Sequence, residues 1–88
     1  MSNSLYILVR VEDDEIRVEH FDRLGDAQQY ILDEYFAIYN SDFHSNYSAS
    51  DIAEDKMSAY YNMYYFNGNS TDVNAIQWKI FKIDLNAE

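Results

Sequence analysis

The ten residues Met57-Ser58-Ala59-Tyr60-Tyr61-Asn62-Met63-Tyr64-Tyr65-Phe66 hold five aromatic side chains, four of them from the nine tyrosines of the chain. No single face of a helix or strand buries all five, so part of this run must meet solvent or a partner. How it folds decides what an 88-residue chain has left for a core. A chain of this length buries only about 60–65% of its extended surface. It contains no cysteine, so neither disulfides nor zinc–thiolate sites hold it together. Stability must come from packing, which gives large rings extra weight.

The length makes one domain, 1–88, with no proline and no linker. Leu5, Ile7, Val9 and Val11 alternate with Tyr6, Leu8, Arg10 and Glu12, the period of a half-buried strand. Glu12-Asp13-Asp14-Glu15 supplies a solvated turn, and Ile16 and Val18 resume the alternation, so the opening reads as a β-hairpin. Asp22 is placed to cap a helix from Arg23 to about Asn40. Leu24, Ala27, Ile31, Tyr35 and Ile38 form its apolar stripe at spacings of three and four.

Residues 40–50 are loop by composition, with Phe43 and Tyr47 expected to fold back onto the core. Asp51 and Glu54 have the spacing of a capping box, which predicts a second helix over 51–66. Its core stripe is Ile52, Ala53, Met57, Tyr60, Met63 and Tyr64, and Asn67-Gly68 ends it. The competing reading makes 59–66 a strand, since tyrosine and phenylalanine favour sheets. Asn69–Asn74 reads as a polar loop. Ile76–Leu85 reads as a strand, with Ile76, Trp78 and Ile80 on one face and Phe81, Ile83 and Leu85 partly on the other. The expected architecture is α+β in the order ββααβ, an antiparallel three-stranded sheet packed with two helices.

Sixteen acidic residues against six basic ones give a formal charge of −10. Such a surface repels nucleic acid and anionic membranes and attracts basic protein surfaces. Residues 1–44 carry ten of the acids and three arginines. The opening Met1-Ser2-Asn3-Ser4 has neither the basic region nor the apolar stretch of a signal peptide, and no run is long enough for a membrane span. A cytoplasmic protein is therefore expected.

No catalytic or metal signature is present. His20 and His44 lack metal-ligand spacing, the serines form no nucleophile elbow, and neither Gly25 nor Gly68 belongs to a phosphate-cradling loop. Asn67–Asp72 misplaces the glycine of a calcium loop and lacks its late glutamate. The expectation is a protein that is not an enzyme and takes no cofactor. A small hydrolase or metal protein would instead show a pocket where carboxylates converge with His44.

Two features point to binding. Asp26 and Asp33 stand seven residues apart, about 10 Å along a helix, with Glu34 beside them. Glu12, Asp13, Asp14 and Glu15 form a second acidic cluster, and the pair resembles an array of phosphates. On the helix expected over 51–66, Tyr61 and Tyr65 fall one turn apart, outside the core stripe, as rigid anchors for a partner or a second copy. A small acidic, tyrosine-rich chain with the hairpin-then-helix opening Leu5–Tyr39 resembles bacteriophage accessory proteins of the anti-CRISPR and anti-defence type. That resemblance implies a stoichiometric inhibitor in a bacterial host cell. It would occupy a basic surface of a CRISPR–Cas effector or another nucleic-acid-handling complex. The alternative is a homodimeric or larger structural or regulatory domain whose Tyr-rich helix is the self-interface.

Overall fold

A computed structural model describes residues 4–85, in the order β1 (Ser4–Glu12), β2 (Glu15–Phe21), α1 (Leu24–Ser41), β3 (Tyr47–Ile52), β4 (Ser58–Asn67) and β5 (Ser70–Asp84). Met1-Ser2-Asn3, expected to lead straight into the first strand, lies outside them. The strands form one sheet in the spatial order β2-β1-β5-β4-β3, with every neighbouring pair antiparallel. The expected three-stranded sheet with two helices is corrected to five strands and one helix.

The opening hairpin and α1 follow the sequence pattern. Asp13-Asp14 turns the chain between Glu12 and Glu15, with Asp13 in the left-handed region at φ 55°. That conformation is open to aspartate at small cost. Ala27, Ile31 and Tyr35 of α1 are buried, and Leu24 and Ile38 pack beside them. The N-cap is Arg23, without a side-chain hydrogen bond, rather than Asp22. Phe43 and Tyr47 do not fold back: they are 81% and 60% exposed.

The second helix does not form. Residues 51–66 divide between the end of β3, a turn and β4. Of the acids read as a capping box, Asp51 lies in β3 and Glu54 in the turn that follows, where Asp55 accepts a hydrogen bond from the Met57 amide at 2.9 Å and Lys56 adopts φ 58°. Asn67-Gly68 is a hairpin turn instead of a helix stop, with Gly68 at φ +62° and Asn67 paired with Ser70. The residues expected as a polar loop, Asn69–Asn74, mostly extend β5 backwards. This central strand pairs through Ser70–Lys79 with β4 and through Ile76–Asp84 with β1, so it holds the two halves of the sheet together.

The helix covers one face. Leu8, Ala59, Tyr61, Met63, Ile76, Trp78 and Ile80 project beneath it and are buried. Tyr35 sits among them, its ring 5.5 Å from Tyr61 and 6.3 Å from Trp78, and its hydroxyl donates to Ser50 at 2.7 Å. The parity of β1 is the informative outcome. Leu8 and Arg10 face the helix, so Leu5, Ile7, Val9 and Val11, the more apolar set, lie on the opposite face.

Candidate binding surfaces

The acids singled out in the sequence separate into structural and free groups. Glu34 is structural: its Oε1 lies 3.0 Å from Arg10 Nε and accepts the Trp78 indole N–H at 2.9 Å, while its Oε2 stands 4.0 Å from Arg17. Glu12 is also committed, accepting from Arg10 Nη1 at 3.0 Å and from Asn74 Nδ2 at 3.3 Å. Arg10 is 8% exposed, and burying its guanidinium requires these carboxylates. Neither Glu12 nor Glu34 is available to a partner as a free anion.

Asp13, Asp14 and Glu15 at the hairpin tip are exposed, as are Asp26 and Asp33 on α1. None of these five forms an ion pair among the described residues. Asp33 accepts from Gln29 at 2.7 Å, one turn earlier on the helix. The two clusters are not adjacent: Asp26 is in the first turn of α1, whereas the tip adjoins Glu12, which shares a cleft with Ile38 near the other end.

Tyr61 and Tyr65 do not form the pair expected on a helix surface. Alternation along β4 turns both toward α1. Tyr61 is 2% exposed, and its hydroxyl donates to Asp42 Oδ2 at 2.8 Å. Tyr65 is half-buried with its hydroxyl 3.6 Å from Met63 Sδ. Tyr61 is therefore withdrawn as a partner anchor. Asp42 closes the C-terminal end of α1, also accepting from the Ser45 hydroxyl. The Ser45 and Tyr61 hydrogen bonds hold the Asp42 carboxyl below its ordinary pKa. Burial, with the Asp42 carboxylate beside it, pushes the Tyr61 phenol above its own.

A polar cleft of about 210 Å³ lies between the end of α1 and the sheet, lined by Arg10, Glu12, Asp42, His44, Tyr65 and Asn74 among others. It is where carboxylates approach His44, as a hydrolase or metal site would require. Yet Glu12 is bonded to Arg10 and Asn74, and Asp42 to Ser45 and Tyr61. Among the described residues no three histidine or carboxylate side chains are grouped to hold a metal ion.

The helix-free face is a surface the sequence reading did not assign to a partner. Register places Ile16 and Val18 of β2, Ile7, Val9 and Val11 of β1, Phe81 and Ile83 of β5, and Tyr60 and Tyr64 of β4 on it. Ile16 is 68% and Val18 58% exposed. Asp51 and Lys79 are the charged strand residues there, with His20 at its margin. A shallow hollow of about 600 Å³ crosses this face between Val11, Tyr60, Lys79 and Phe81. The apolar set of β1 was visible in the sequence, but that α1 covers the other set is seen only in the fold.

No helix among the described residues is long and apolar enough to cross a membrane. Comparison of the chain with protein-family models, curated proteins and solved structures finds no match.

Proposed function

We propose that this chain is a non-catalytic binding protein that occupies a basic surface of a bacterial nucleic-acid-handling complex, an inhibitor of the anti-CRISPR type. The observation that supports this reading is the set of exposed carboxylates without cationic partners: Asp13, Asp14 and Glu15 at one end, and Asp26 and Asp33 along the helix. The tip is held by a hairpin and the helix is anchored by Tyr35, so the charges are presented on rigid elements. Fixed anions steer a basic partner and pair with it at little cost in reorganisation. Glu12 and Glu34 serve by holding Arg10 inside rather than by meeting the partner.

Affinity capture from a bacterial lysate at low and at high salt tests the reading. Nucleic-acid-binding complexes are expected at low salt, lost at high salt, and absent when Asp13, Asp14 and Glu15 are all changed to lysine. A captured set that is unchanged by both salt and the triple variant would remove the electrostatic basis of the proposal.

A further inference from the structure

We infer that the helix-free face of the sheet is a self-interface, on which two copies of this chain pack sheet against sheet. This goes beyond the acidic-surface reading and uses the opposite side of the molecule. The alternation of β1 and β2 writes the set Ile7, Val9, Val11, Ile16 and Val18 as a buried face, yet α1 covers the other one. Phe81 and Ile83 extend the same block onto β5. Nothing in residues 4–85 covers it.

Area and charge both point to a second copy as the occupant. The five strands have lengths of 9, 7, 6, 10 and 15 residues. At about 3.3 Å per residue and 4.8 Å per strand, that is roughly 700 Å² of face. Two such faces supply about 1,400 Å², within the range of specific interfaces. The face carries one anion and one cation on its strands, Asp51 and Lys79, and is formally neutral. A two-fold contact that brings Asp51 against Lys79 makes that pairing twice, which a uniformly charged partner does not. The remaining acids of residues 4–85 lie on the helix side, in turns and at edges. Stacked sheets stand about 10 Å apart and a helix layer adds about as much again, so the two acidic helices end roughly 30 Å apart. That exceeds the Debye length of about 8 Å at physiological salt, and like charge does not oppose the association.

Sedimentation equilibrium across micromolar to millimolar concentration reads the mass directly. The native chain is expected at twice its 10.4 kDa, with Ile16→Lys/Val18→Lys at the mass of one chain and an unaltered circular dichroism spectrum. Both side chains are already largely exposed in the single copy, so the lysines act on the interface. Burying like charges there weakens dimerisation by at least about 100-fold. Phe81→Lys is the second variant, to be used where the first does not fold. Phe43→Lys, on the helix side, is expected to leave the dimer intact. One-chain mass for the native protein throughout the range overturns the inference, and so does a dimer unaffected by the lysines at positions 16 and 18. The two proposals also fail separately: raising the ionic strength from about 10 to about 150 mM strengthens this contact between like-charged copies and weakens capture of a basic target.

Discussion

Two buried polar contacts decide how individual residues respond to change. The Tyr61 hydroxyl is enclosed and donates to Asp42, so Tyr61→Phe leaves the carboxylate with one donor fewer and is expected to cost about 1–2 kcal/mol in urea unfolding. The pH dependence follows from the direction of each shift. Asp42 titrates lower in the folded chain, so its contribution is present above the ordinary carboxylate range and is lost as pH falls through the depressed value. Tyr61 titrates higher, so its contribution is present at neutral pH and is lost as pH rises through a value above the usual 10.0. Unfolding midpoints measured against pH should therefore show a shallower acid limb for Asp42→Asn and a shallower alkaline limb for Tyr61→Phe. Around Arg10 the logic differs, because a buried cation loses more than a hydrogen bond when its partner goes. Glu34→Ala should destabilise by about 2–3 kcal/mol, less than for a fully enclosed pair because Glu34 keeps some access to water. Arg10→Met in the same chain should restore part of that loss, a coupling that a double-mutant cycle measures.

Single elements separate what was legible in the residues from what was not. The hairpin and α1 were readable because each has one apolar set at one period, Ile16 and Val18 by twos and Leu24, Ala27, Ile31, Tyr35 and Ile38 by threes and fours. β4 was not, because aromatics occupy both of its faces: Tyr61 and Tyr65 on one, Tyr60, Tyr64 and Phe66 on the other. Alternation that puts similar side chains on both sides leaves no period to detect. Asp51, Glu54 and Asn67-Gly68 then supplied local signals that fit a helix end as well as a turn. The candidate acids were legible as charges, but not their use. Only packing distinguishes Glu34, pinned beneath Arg10, from Asp33 one position earlier in solvent. The two glycines are expected to respond to alanine with opposite signs. Gly68 sits in the left-handed region and a Cβ there meets nothing within 4 Å, so Gly68→Ala should cost about 1–2 kcal/mol through backbone strain alone. Gly25 lies in the first turn of α1 with equally open space, and Gly25→Ala should stabilise by about 0.5–1 kcal/mol. Were 51–66 a helix ended by Gly68, that glycine would instead be a cap; hairpin-specific amide exchange at Asn67 and Ser70 in the alanine variant distinguishes the two.

At the scale of the whole molecule the chain has two unlike sides, and salt should act on them in opposite directions. The helix side, the turns and the edges carry the excess of acid, while the helix-free face carries one charge of each sign among its strand residues. Association through that face brings two strongly anionic molecules together, and the repulsion between them is felt only where screening is weak. At about 10 mM ionic strength the Debye length is near 30 Å, comparable with the separation of the two helices, and at 150 mM it is about 8 Å. The dimer is thus expected to dissociate more readily at 10 mM than at 150 mM, and to change little between 150 mM and higher salt, where apolar burial dominates. Asp13→Lys/Asp14→Lys/Glu15→Lys lowers the net negative charge by six per copy and should remove most of that low-salt weakening while leaving the dimer at 150 mM as it was. Sedimentation at the two ionic strengths measures both effects. A dimer that tightens as salt is withdrawn would mean that opposite charges, not the Val9–Val18–Phe81 surface, hold the copies together.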